Sequence, residues 1–176
     1  VALKLDAASI VHKTEVGGVV LDLRSPKEVE RAFVRIRERL ERKGLAGEML
    51  GVTVQQMISG GVEVIVGVTQ DPSFGPLIML GMGGIYTELF KDVTFRIHPL
   101  TDVDAREMVR SVKAYQLLAG WRGAKPSDVG SLEELLLRIS AMVEDLPQIV
   151  ELDLNPVKVL ERGGGYVVVD VRVLLA

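Results

Sequence analysis

The sequence predicts an α+β fold of antiparallel strands with its helices segregated from them. Three observations carry this. Valine- and leucine-rich runs meet at glycine turns, above all residues 149–160 and 166–174 across Glu161-Arg-Gly-Gly-Gly165. Three stretches with helical spacing, 25–44, 102–115 and 131–144, stand apart from those runs. Strands and helices do not alternate regularly, which argues against a doubly wound parallel sheet.

In order, residues 1–5 read as a strand and 16–23 as a second, with the polar stretch 6–15 between them as a place where chemistry could sit. Ser25-Pro26-Lys27-Glu28 supplies a cap, a proline at the first helical position and a glutamate three residues after the cap. Val29, Ala32, Phe33, Ile36 and Leu40 then keep the 3.6-residue period until Gly44 stops it. Residues 51–58 and 62–69 read as a hairpin closed by Ser59-Gly60-Gly61. In its second arm Val62, Val64, Val66 and Val68 share a face, so Glu63 points the other way. Asp71-Pro-Ser-Phe-Gly-Pro76 is a turn cluster, 77–80 a short strand, Gly81-Met-Gly-Gly84 a link into 85–90, and 94–97 one more strand. Helices follow at 102–115 and 131–144, the latter with a Ser131/Glu134 capping box, and Gly120-Trp-Arg-Gly123 is a loop between them.

Composition narrows the function. The 176 residues, 48% of them hydrophobic, can bury one sizeable core or two small ones. Lys and Arg total 21 against 24 Asp and Glu, a net charge of -3, so no broad field exists for nucleic acid or an anionic membrane. Any bound anion must be held locally. With no cysteine, no bilayer-length apolar run and no leader-like start, the expectation is a cytoplasmic protein. Because Val-Ala-Leu-Lys4-Leu opens in mid-strand, the fold is expected to be N-terminally incomplete.

Three constellations could carry chemistry. Lys4 with Ser9-Ile-Val-His-Lys-Thr-Glu-Val-Gly-Gly18 forms a strand, loop, strand unit whose glycines and lysines could cradle phosphate, although an ordinary turn with surface lysines has the same pattern. His12 within it is a competent phosphorus nucleophile or an exposed loop histidine, while His98 reads as structural. Glu151, Asp153 and Asn155 alternate with Leu152 and Leu154 and project from one strand face. If the terminal hairpin closes at Arg162 and Gly163, Asn155 faces Asp170, a pair of hard oxygen donors suited to Mg²⁺ on a face with no opposing lysine or arginine. The alternative is the polar outer face of an edge hairpin. The third group, residues 71–76 and 81–84 with Glu88, suits close backbone approach to a ligand or tight connections equally.

In sequence order, Lys4, 10–19, Gly61-Val-Glu-Val-Ile-Val-Gly67, Asp71-Pro-Ser-Phe-Gly-Pro76, 81–88, Leu118-Ala-Gly-Trp-Arg-Gly123, Glu151-Leu-Asp-Leu-Asn-Pro156 and Val169-Asp-Val-Arg172 resemble the ATP-grasp part, or β subunit, of ADP-forming acyl-CoA (acetyl-CoA) synthetases. More distantly they resemble the β subunit of succinyl-CoA synthetase. The resemblance implies an ATP-grasp fold of two α+β subdomains with antiparallel sheets. Residues 1–58 would be a lid carrying the phosphate loop and adenine strand, and 59–176 a C-terminal subdomain with a metal-binding hairpin. It further implies that Lys4, Lys13, Gly17, Gly18, Gln55, Gln56, Met57 and Glu63 bind ADP or ATP, and that Asn155 and Asp170, with Asp153, hold Mg²⁺. His12 would be a phosphohistidine in the reaction acyl-CoA + ADP + phosphate = acid + CoA + ATP. The implied partner is a CoA-binding α subunit or domain carrying the first phosphohistidine, in a hetero-oligomer. Two alternatives stand beside this: a regulatory or noncatalytic ATP-grasp module of a CoA-binding protein acetyltransferase, and a docking module for a CoA-binding partner.

Overall fold

The computed structural model describes residues 1–10, 13–84 and 91–176. The chain divides into two compact units, Val1–Met57 and Ile58–Ala176.

In the first unit β1 (Ala2–Ala7) is the middle strand of three, flanked antiparallel by β2 (Val19–Val20) and β3 (Met49–Gln55). Helix α1 (Pro26–Arg42) starts as the sequence predicts: Ser25 accepts the Glu28 amide and Pro26 stands in the first turn. The Glu28 carboxylate reaches past the cap to the Arg24 amide at 2.8 Å. Ala32, Ile36 and Leu40 of α1 bury against Leu3 and Leu5 of β1 and against Leu23. Each fully buried leucine contributes about 1.5–3 kcal/mol.

Among its described residues the second unit holds a six-stranded sheet. Its path runs β6 (Val93–Ile97), β5 (Gly75–Met82), β4 (Val62–Asp71), β7 (Ile149–Val159), β8 (Tyr166–Val168), and β9 (Val171–Leu175) also pairs with β7. The face bearing Val64, Val66, Val68, Ile78, Leu80, Leu152 and Leu154 packs on α2 (Asp102–Ser111), α3 (Tyr115–Ala119) and α4 (Val129–Asp145) through Met108, Leu118, Leu132 and Leu136. Period-two alternation puts Glu63, Gly67, Glu151, Asp153 and Asn155 on the opposite face. Strand β9 is apolar but for Arg172 yet exposed, with Val171, Val173, Leu174 and Leu175 about half accessible.

Several expectations are corrected. Residues 51–58 and 62–69 form no hairpin: β3 pairs with β1, whereas β4 pairs with β5 and β7, in a different sheet. Gly60 and Gly61 do take positive φ (75° and 76°), but they turn the chain out of one sheet and into another. The strand expected at 16–23 is two residues long, because Lys13 to Gly17 are taken up by turns. Ser131 is not a helix cap. Helix α4 begins at Val129 after Asp128, and the Ser131 hydroxyl donates to the Asp128 carbonyl while Glu134 pairs with Arg138. The helix expected over 102–115 breaks at Val112, since buried Asp92 accepts the Lys113 and Ala114 amides at 2.6 and 2.8 Å and starts α3 instead. Gly81 and Met82, expected in a link, complete β5.

Candidate functional site

The candidate residues fall in two groups, one on each unit. In the first, Lys4 sits at mid-strand, opposite Thr53 of β3 and Val19 of β2, and is only 8% exposed. Strand alternation sets it on the sheet face away from Leu3 and Leu5, the face that Gln55, opposite Ala2, also shares. Gln56 and Met57 lie past the end of β3. The loop from Lys13 to Gly18 folds back so that the Gly18 carbonyl accepts the Leu5 amide at 2.7 Å. Gly17 has φ +68°, and a Cβ on Gly18 would stand 2.8 Å from the Leu5 Cβ, so both positions need glycine.

The glycine amides are not arranged as the sequence suggests. Gly17 donates to Thr14 at 2.9 Å and Gly18 to Lys13 at 2.7 Å, so both N–H groups are engaged within the loop. Their role is to close the loop, and an anion would be met by other groups. His12 lies outside the described residues, as does Glu88.

In the second unit the terminal hairpin closes in the expected register. Leu160 donates to the Gly165 carbonyl and Gly164 to Glu161, with Arg162 and Gly163 at the tip. Leu154 pairs with Val171 and Val157 with Val168, so Asn155 meets Asp170, whose carbonyl accepts the Asn155 amide at 3.2 Å. Both side chains are exposed. Asp153 faces the same way two residues along. Burial pushes its carboxyl above the usual carboxylate range, and the Glu151 and Asp170 carboxylates add to this, against the opposing pull of Arg172 and a hydrogen bond with Asn155.

The face does hold a cation, contrary to expectation. Arg172 stands opposite Asp153 and reaches the Glu151 carboxylate at 3.8 Å, because β9 continues the alternation past Asp170. Glu63, expected to face a nucleotide, is paired with Lys158 at 3.2 Å. Its carbonyl accepts the Gly83 amide at 2.7 Å, and a Cβ on Gly83 would fall 2.7 Å from the Glu63 Cβ, so the glycine run packs its backbone across Glu63. His98 reads as structural here too: its Nδ1 is 3.1 Å from the Ser140 hydroxyl, which also accepts the Leu100 amide.

The donors suit Mg²⁺. Among the described residues no three histidine, cysteine or acidic side chains converge to chelate an ion by themselves. Exposed Asn155 and Asp170, with Asp153 beside them, form a sparse all-oxygen set, and Mg²⁺ characteristically takes one or two carboxylates and completes its octahedron with water and phosphate oxygens.

Among the described residues two antiparallel sheets, one packed on a single helix and the other on three, define a fold, and comparison with known proteins gives it a family. An ATP-grasp domain model matches residues 1–175, so the chain belongs to the ATP-grasp family. It is 50% identical over 175 residues to an ADP-forming acetate–CoA ligase I of Archaeoglobus fulgidus, covering 99% of this chain and 25% of the relative. To the β subunit of an ADP-forming acetate–CoA ligase II of Pyrococcus furiosus it is 46% identical, covering 99% and 75%. Among solved structures, the acetyl-coenzyme A synthetase 1 of Ca. Korarchaeum cryptofilum, in complex with coenzyme A, Ca-AMPCP and HgCl+, matches with TM-score 0.92 and 42% identity over 99% of this chain and 76% of its own. The chain thus spans three quarters of the Pyrococcus furiosus relative and a quarter of the Archaeoglobus fulgidus one.

Proposed function

We propose that this chain is the nucleotide-binding part of an ADP-forming acyl-CoA synthetase, binding ADP or ATP with Mg²⁺ and passing a phosphoryl group between that nucleotide and a phosphohistidine. The observation that carries the proposal is the Asn155 and Asp170 pair with Asp153 on the sheet face opposite the helices. The similarity to ADP-forming acetate–CoA ligases supports it, as does the nucleotide analogue bound with calcium in the Korarchaeum relative.

In this reading Asn155 and Asp170, with Asp153 beside them, would hold Mg²⁺, which would supply positive charge to offset that of the phosphates. Lys4 contributes charge to the phosphates, Gly17 and Gly18 shape the loop over them, and Gln55, Gln56 and Met57 hold the base along the backbone. Lys13 and Glu63 complete the nucleotide contacts, Glu63 by exchanging its bond to Lys158. His12 carries the phosphoryl group. Toward ATP, a β-phosphate oxygen of ADP attacks the phosphohistidine phosphorus in line, the P–N bond breaks, and imidazole leaves with its electron pair. The complete reaction then needs a CoA-binding α subunit or domain bearing the first phosphohistidine, in a cytoplasmic hetero-oligomer.

Calorimetry tests the site. Mg-ADP should titrate saturably, EDTA should abolish most of the heat, and Asp170→Ala should weaken metal-dependent binding about tenfold or more at little cost in stability. Unchanged affinity without divalent metal would refute the assignment. For the carrier, His12→Ala should leave ADP binding within about threefold and abolish phosphoryl exchange, and wild-type turnover by that variant would demote His12 to a bystander.

A further inference from the structure

The loop from Lys13 to Gly18 is held from outside by the last turn of α1. Arg39 Nη1 donates to the Gly17 carbonyl at 3.1 Å and Lys43 Nζ to the Glu15 carbonyl at 3.2 Å. The four-residue spacing puts both cations on one side of the helix end. Gly17 seats the guanidinium, since a Cβ there would lie 2.8 Å from Arg39 Nη1. Between the loop and Arg39, Arg42 and Lys43 lies an open cavity of about 390 Å³, while Val16 of the loop packs against the core that includes Leu40, so the two side-chain hydrogen bonds add to apolar packing there.

We propose that Arg39 and Lys43 are positioning residues that fix this loop in the shape that covers the nucleotide phosphates. The inference rests on the nucleotide reading above. A loop around phosphate must keep its carbonyl oxygens, which carry partial negative charge, away from the anion. The Lys13 and Thr14 carbonyls are taken by the Gly18 and Gly17 amides, and the Gly18 carbonyl by Leu5. Arg39 and Lys43 take those of Gly17 and Glu15, turning them toward the helix.

The plainer account is that basic residues gather at a helix C-terminus to offset its dipole. Arg42 shows the difference, because it bonds to the Glu38 carbonyl of its own helix while its neighbours reach out to the loop. It is the built-in control.

The test uses the full chain carrying Arg39→Ala with Lys43→Ala, beside Arg42→Ala and the conservative pair Arg39→Lys with Lys43→Arg. Amide hydrogen exchange at Gly17 and Gly18 reports loop order, and phosphoryl exchange at saturating Mg-ADP reports function. Losing two hydrogen bonds should speed amide exchange and slow phosphoryl exchange by roughly tenfold each. Arg42→Ala should do neither, and the conservative pair should recover most of both. A double variant indistinguishable from Arg42→Ala in both readouts overturns the proposal. A wild-type chain that does not bind Mg-ADP defeats the nucleotide reading and with it the clamp's functional half, and amide exchange then still decides whether the two cations hold the loop.

Discussion

At the scale of single residues, Asp153 couples charge to stability. Its carboxyl is pushed up by burial and by neighbouring carboxylates, so its ionised form costs folding free energy at every pH above its raised pKa. Asp153→Asn should therefore melt above wild type at pH 7 without metal, and the gap should close as pH falls toward the ordinary aspartate value of about 3.9. If Asp153 joins Asn155 and Asp170 on the ion as proposed, saturating Mg-ADP should reverse the order, because the carboxylate then gains a cation that the variant's neutral amide holds less well. Thermal melts with and without Mg-ADP check both signs. The Asn155 and Asp170 pairing was legible in the sequence, because the turn at Arg162 and Gly163 and strict alternation fix which residues meet. Arg172 was equally derivable from that register, two residues beyond Asp170, and was missed. Arg39 and Lys43 had no such signal: their loop partners lie 22 and 28 residues away in sequence, and nothing local to α1 names them.

Among elements, two side chains hold the joints of the second unit. Asp92, 3% exposed, satisfies the Lys113 and Ala114 amides where α2 gives way to α3. Asp92→Ala strands two N–H donors and should cost about 2–4 kcal/mol, read from the urea midpoint at constant slope. Asp128, before α4, accepts the Gly163 and Gly165 amides and ties the helix start to the hairpin tip. The Gly165 amide is the chief reason its carboxyl lies below the usual range. That stabilisation is present above the unfolded pKa and lost as pH falls through the lower folded one. Asp128→Ala should thus melt below wild type at pH 7 and converge with it in acid. Sequence pattern found nearly every strand and the start of α1, because apolar periodicity and a proline are local signals. It failed where a local signal had two outcomes: Gly60 and Gly61 mark a turn, yet cannot say whether the strands on either side pair. Ser131 failed likewise, as a cap motif displaced by an aspartate three residues earlier that serves a distant turn.

Over the whole molecule, two separate cores of unequal size set the stability. Among the described residues the core of Val1–Met57 rests on six buried side chains, whereas Ile58–Ala176 buries a much longer set beneath its sheet. Small cores are marginal, so calorimetry of this chain without ligand should resolve two transitions, the smaller and earlier belonging to the first unit. A single transition with equal calorimetric and van't Hoff enthalpies would contradict this. The edge formed by β9 has a further consequence, in concentrated solution. Among the described residues β9 pairs only with β7, so its outer N–H and C=O groups offer a template to another chain, and four half-exposed aliphatic side chains stand along it with one guanidinium, Arg172, for protection. Natural sheets guard such edges with charge. Leu174→Lys adds one opposite Glu151, on the face turned from the helices, and light scattering against concentration should show self-association falling in that variant while its melting temperature barely moves.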